Sequence, residues 1–249
     1  MLPLIFETIY KRSLSFSTPG RVRPFSVDRP MSHELAKQAV EWRSAYGFAV
    51  LDFDAYLDRL ASADPTPGGG SAAALTGALG AALVAMVARI TAGTASHPTA
   101  EAIATEADAL RARLRAARPI DEAAYGAVVT AMALPKSTDA LKGERTARLQ
   151  AALAGAAAAP LALVELALEL FRLAQRAAEL RNAHLMSDVD CALRFARATL
   201  DASTANVEVN HRFLKDQTLI AAQRERLEHV RSCAHALESQ TLATIADVR

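Results

Sequence analysis

Between Ala72 and Ala88 the chain carries no charged residue and is built of alanine, leucine, glycine and valine with one threonine and one methionine. Such a stretch can fold in few ways. Alanine and leucine are strong helix formers, and no alternation of apolar and polar residues marks a strand. The run is shorter than the ~20 apolar residues a bilayer crossing needs, and alanine and glycine partition weakly into lipid. It reads as a helix buried in the core of a helical protein, and no membrane partner is expected. Its small residues Ala74, Gly77, Ala78 and Ala81, and later Ala154 to Ala159, let helix backbones approach closely. Little bulky core then falls to each helix, so a second copy of the chain is expected to bury the rest, giving a homodimer.

The remaining segments keep the helical period. Leu51 to Ala63 predicts a short amphipathic helix with Phe53, Tyr56, Leu57 and Leu60 on one side. Ser71 predicts an N-cap for a helix to about Thr91, with Gly93 and Pro98 at its exit. A helix from about Thr99 carries Ile103, Ala107, Leu110 and Leu114 at helical spacing. Pro119 then opens another helix to about Leu134, Glu144 to Ala159 forms the next, and Pro160 starts or kinks one to about Leu180. Ser187 to Asp190 has capping-box spacing ahead of a helix past Asn210. A charged amphipathic helix follows Lys215, with Leu219, Leu227, Val230, Ala234 and Leu237 as its seam. The predicted fold is all-α, a single bundle of long, closely packed helices over residues 51–249. Residues 1–50 read as an N-terminal extension, partly disordered or preceding a true start at Met31; their first 30 residues are rich in Arg, Ser and Pro.

A formal net charge of +1 argues against a dedicated nucleic-acid binder. The two cysteines, Cys191 and Cys233, form no CxxC pair, which fits a reducing, cytoplasmic compartment. His229 lies one turn before Cys233, too few ligands for a metal site, so none is expected.

Three features could carry chemistry. The first is Gly68-Gly69-Gly70-Ser71 at the entry to the apolar helix. Backbone N–H groups at the positive end of a helix suit a carboxylate or phosphate; the same loop can simply pack against a neighbouring helix. The absence of Gly-Lys-Ser/Thr excludes a nucleotide P-loop. The second is Asp121, which shares a stripe with Tyr125, Val128 and Met132. A carboxylate on a buried stripe has a raised pKa, as a general acid/base near neutral pH requires; equally, Asp121 can be an ordinary first-turn acid after Pro119. Lys136, one of only five lysines, lies past the end of that helix, where it can bind a substrate carboxylate or face solvent. The third is the uncharged polar stripe Thr199, Ser203, Asn206 and Asn210, which can bond other helices or the amide-like edge of a heterocycle.

The segments PTPGGGSAAALTGALGAALVAMV (65–87), DEAAYGAVVTAMALPK (121–136), ERTARLQAALAGAAAAPLAL (144–163), MSDVDCAL (186–193) and NVEVN (206–210) occur in this order. From Leu51 through Asn210 the chain resembles the cyclodeaminase domain of formiminotransferase-cyclodeaminase and its stand-alone bacterial relatives, the methenyltetrahydrofolate cyclohydrolases. The resemblance implies a helical homodimer with a tetrahydrofolate one-carbon derivative bound in a groove of the bundle, no metal and no other cofactor. It implies Asp121 as acid/base, Lys136 as a charge-stabilising or glutamate-tail group, and Gly68, Gly69, Gly70, Ser71, Asp188, Asn206 and Asn210 as folate-site or site-shaping residues. Arg145 and Arg148 match as well, and can instead pair with acids on a neighbouring helix. The implied activity is formimidoyltetrahydrofolate cyclodeaminase, giving 5,10-methenyltetrahydrofolate and ammonia. The alternative is methenyltetrahydrofolate cyclohydrolase, giving 10-formyltetrahydrofolate. Relatives often carry a second acid where this chain has Pro119, which keeps a catalytically silent, folate-binding dimer as a non-enzyme alternative.

Overall fold

Helices faced with alanine and glycine can lie closer together than helices faced with leucine, and this chain uses that at its centre. The structure, a computed structural model, describes residues 53–94 and 97–248. The expected N-terminal extension lies outside the described residues. The chain divides into two units, Met1–Pro65 and Thr66–Arg249. In the first, residues 53–60 form helix α1, in which Tyr56 is buried while Phe53 and Leu57 are exposed. The single apolar side expected for this helix is therefore split.

The second unit contains α2 (Gly69–Thr94), α3 (Pro98–Ala133), α4 (Asp139–Glu179), a 3-10 turn (Ala183–Leu185), α5 (Met186–His211) and α6 (Gln217–Val248). No strand occurs among the described residues, so the fold is all-α. The central helix α2 packs on α3, α4 and α5. A Cβ added at Gly77 would lie 2.9 Å from Leu114 of α3 and 3.2 Å from Thr199 of α5. At Gly80 it would meet Leu170 of α4 at 2.8 Å and Phe195 of α5 at 3.2 Å. Glycine at these positions is what lets three neighbours close on one helix. Around them Ile103, Leu110, Leu114, Leu163, Leu170, Phe171, Leu193 and Leu200 are fully buried, each contributing about 1.5–3 kcal/mol by burial.

Both α2 and α4 contain windows long and apolar enough to cross a membrane, by length and composition; 61% of the α2 window is buried inside the bundle. The charge-free run alone understated this, because the helix extends past it to Thr94.

Several predicted boundaries differ. Pro119 opens no helix; it lies inside α3. Pro160, expected to start or kink a helix, starts none and lies inside α4. A helical proline removes one N–H, crowds the carbonyl four residues back and costs about 3 kcal/mol. Strong helix formers on both sides, and the buried leucines of each helix, outweigh that cost. At Pro160 the carbonyl four residues back is Ala156, and Asn210 of α5 supplies the missing donor through Nδ2 at 2.9 Å. Ser71 does not cap α2, which starts two residues earlier. Nor does Ser187 cap α5: the helix begins at Met186 without a side-chain cap, and Asp190 accepts from Arg194 of its own helix instead. The start of α6 is capped by Asp216, whose Oδ1 accepts from the Leu219 N–H at 2.9 Å. Its expected seam is present, with Leu227, Val230 and Ala234 buried.

Candidate functional site

A helix start carries unpaired N–H groups and partial positive charge, and α2 has no acid of its own in its first turn. The acid comes from α3. Asp121 accepts a hydrogen bond from the backbone N–H of Ser71. Its carboxylate fills the space over Gly70: a Cβ there would lie within 2.6 Å of both carboxylate oxygens. The anion suited to the glycine-rich helix start is thus the protein's own carboxylate, and two features that looked separate in the sequence are one. Asp121 lies deep inside the continuous α3, so it is not a first-turn acid of its own helix.

Burial raises the pKa of Asp121 most strongly; the Ser71 N–H opposes this, and the charge of the adjacent Glu122 adds to it. Glu122 was not singled out by sequence reasoning. Its Oε1 accepts from the Ser71 hydroxyl at 2.9 Å, and Ser71 is fully buried. One residue of α2 therefore holds two consecutive carboxylates of α3, its N–H on one and its O–H on the other. No local pattern signals this, because the contact spans fifty-one positions. Beyond Asp121 the predicted stripe opens: Val128 is buried, but Tyr125 is 42% exposed.

The third wall is α5. Asn206 lies beside Gly69, its Nδ2 3.4 Å from where a Cβ would stand. That nitrogen donates to the Ala202 carbonyl of its own helix at 2.8 Å, while the amide oxygen accepts no hydrogen bond among the described residues. Asn210 differs. Its Nδ2 donates to the carbonyls of both Ala156 and Asn206, which uses both amide protons and ties α5 to α4 at the proline. Thr199, about two turns from Asn206, shares its hydroxyl proton between the Phe195 carbonyl of α5 at 2.8 Å and the Ala73 carbonyl of α2 at 3.3 Å. Gly68 is half-buried with open space around its Cα, and its carbonyl accepts from Ala72.

Two predicted residues stand apart. Asp188 is in the first turn of α5, about 27 Å along the axis from Asn206 at 1.5 Å per residue. Lys136 is exposed in the loop after α3, with no hydrogen bond or ion pair among the described residues. The end of α3 at Ala133 is already about 18 Å along the axis from Asp121. Arg145 holds the far end of that helix, donating from Nε at 3.2 Å and Nη2 at 3.1 Å to the Met132 carbonyl in the last turn. Arg148 pairs with Glu144 on its own helix.

Cys191 and Cys233 are free, and Cys233 Sγ is 3.8 Å from His229 Nε2. No group of three or more His, Cys, Asp or Glu that could hold a metal occurs among the described residues. The convergence of Gly69, Gly70, Ser71, Asp121, Glu122 and Asn206 offers a carboxyl with a raised pKa, a second carboxylate and an open amide acceptor at one end of the central helix. Such a set can move a proton between two atoms of a bound molecule.

The sequence pattern of the formiminotransferase-cyclodeaminase family matches residues 52–229. The chain is 38% identical over 196 residues to the methenyltetrahydrofolate cyclohydrolase of Methylorubrum extorquens, covering 77% of this chain and 94% of that protein. It is 30% identical over 177 residues to the formimidoyltransferase-cyclodeaminase of Rattus norvegicus, of which it spans 33%. The crystal structure of formiminotetrahydrofolate cyclodeaminase from Thermotoga maritima superposes with a TM-score of 0.70 at 26% identity, covering 78% of this chain and 94% of that one.

Proposed function

The chain belongs to the formiminotransferase-cyclodeaminase family of folate one-carbon enzymes, and from that premise we propose that it closes formimidoyltetrahydrofolate to 5,10-methenyltetrahydrofolate with release of ammonia. The observation that carries the reading is the Asp121 carboxyl held over Gly70 with a raised pKa. Nitrogen-10 attacks the formimino carbon on nitrogen-5, and the carbon–nitrogen π pair moves to the imino nitrogen. Asp121 takes the proton from nitrogen-10 and passes it to that nitrogen. After uptake of one further proton, the carbon–nitrogen bond breaks, ammonia leaves and the methenyl bridge carries the positive charge. A carboxyl with a pKa above the ordinary range suits both halves of this transfer.

Asn206 offers its amide oxygen to a pterin N–H. Asn210 shapes the site through Ala156. Lys136 and Asp188 are assigned to parts of a long substrate distant from the reacting carbon, Lys136 to the carboxylates of the glutamate tail. No metal or redox cofactor takes part, and turnover should survive exhaustive chelation. The outer surface of α2 carries Leu79 and Ile90, 46% and 47% exposed, beside the half-buried Leu75. It is assigned to a second copy of the chain; a monomeric mass by light scattering would contradict this. The two free thiols fit a cytoplasmic location.

The cyclohydrolase reaction is the second reading, favoured by the 38% identity that runs through 94% of the Methylorubrum enzyme. There water attacks the methenyl carbon, Asp121 takes one water proton and returns it to nitrogen-5 as the bond to that nitrogen breaks, and the remaining hydroxyl proton leaves to solvent as the formyl carbonyl of 10-formyltetrahydrofolate forms. Incubation with each folate separately, following methenyl absorbance, tests both. Methenyl appearing from the formimidoyl substrate supports the first reading, and methenyl disappearing faster than in buffer supports the second. No change in either contradicts an enzyme of this family and leaves a folate-binding dimer.

A further inference from the structure

Ser71 of α2 is tied to both carboxylates, and of the two Glu122 borders a groove. It lines a groove of about 500 Å³ on one side of α3 together with Ala112, Arg115, Ala116, Arg118 and Pro119. Asp121 is the more enclosed of the two, tucked against Gly70. Neighbouring residues on a helix point about 100° apart, so two consecutive side chains reach one partner only if that partner offers two donors. The buried Ser71 does so, with its N–H for Asp121 and its hydroxyl for Glu122.

We propose that Glu122 is a positioning residue of the reaction: through Ser71 it fixes the start of α2 against α3, and it keeps a negative charge beside Asp121. This rests on Asp121 as the acid/base. The surroundings make the charge matter. The facing stretch of α2, Gly69 to Ala88, has no charged residue, and neither does α4 between Arg148 and Glu165. On α5 the facing side chain is the uncharged Asn206, while Asp201 and Glu208 pair with Arg197 and Arg231. On α3 itself the charged groups nearby are Arg115 and Arg118 of the same groove. Glu122 is thus the acidic neighbour of Asp121 among the described residues. Its charge makes Asp121 hold a proton more tightly and places the carboxyl closer to the pH at which it must both accept and give one.

The test compares pH–rate profiles of kcat/KM for wild type, Glu122→Gln and Glu122→Asp, with folding checked by circular dichroism. Gln keeps an acceptor for the Ser71 hydroxyl but removes the charge, so the carboxyl limb should move to lower pH. Asp keeps the charge and should return the limb towards the wild-type position. A Glu122→Gln profile superimposable on wild type overturns the proposal, as does an equal displacement in both variants, which would make side-chain shape rather than charge the cause. Asp121→Asn, run alongside, separates the two claims. If it retains wild-type turnover, the acid/base reading itself fails; if it is inactive while Glu122→Gln is unshifted, only the role of Glu122 fails.

Discussion

The two halves of α3 treat their acids in opposite ways. Before Pro119 the helix buries Ile103, Ala107, Leu110 and Leu114, and its acids Glu106 and Asp108 bond Arg176 and Arg89 of neighbouring helices. Those hydrogen bonds hold both carboxyls below the ordinary range. After Pro119 the same helix exposes Ile120, Tyr125 and Val129, and Asp121 is pushed above the ordinary range by burial, with no cationic partner among the described residues. The pH dependences have opposite sign. The first pair stabilise the fold above the ordinary carboxylate range, and that contribution is lost as pH falls through their lowered folded values. Asp121 favours the folded state when protonated, so stability declines as pH rises from the ordinary range through its raised value. One half of the helix is built for stability; the other carries a carboxyl whose ionisation costs stability.

Gly70→Ala breaks the contrast most severely. Its Cβ would stand within 2.6 Å of both Asp121 oxygens, so the carboxylate must move by an ångström or more, and kcat/KM should fall by roughly 100-fold or more. The melting temperature should change little, because the displaced group is half-exposed. Leu114→Ala does the reverse in the first half. It should cost about 2–5 kcal/mol of stability in denaturant titration, while kcat/KM of the folded protein changes less than in Gly70→Ala. Asn210→Ala tests the coupling of α5 to α4. It leaves the Ala156 carbonyl without its donor and should cost about 1–3 kcal/mol, with a smaller kinetic effect than Gly70→Ala.

Much of the fold was legible in the sequence because its helices are long, alanine-rich and regularly spaced. The buried stripe of Ile103, Ala107, Leu110 and Leu114 and the inward-facing Thr199 and Ser203 follow from spacing alone. The positions of Pro119 and Pro160 did not, because a local rule predicts a break and the packing of distant helices overrides it. The site divides in the same way. Asp121 could be singled out as a carboxylate on an apolar stripe, but its partners Gly70, Ser71 and Glu122 are joined by a contact between helices that no spacing encodes. The separation of Asp188 from Asn206 was within reach of the sequence, since helical rise sets it once the helix is known to be continuous.

The central claim is that the Asp121 carboxyl moves the proton. Its most direct test is the rate of methenyl formation or loss for Asp121→Asn beside wild type, with thermal melting measured from acid to mildly alkaline pH. The account predicts a kcat lower by about 100- to 10,000-fold, unchanged helical circular dichroism, and a melting temperature that gains on wild type as pH rises through the raised pKa of Asp121. Wild-type-like turnover from a folded Asp121→Asn protein would contradict it.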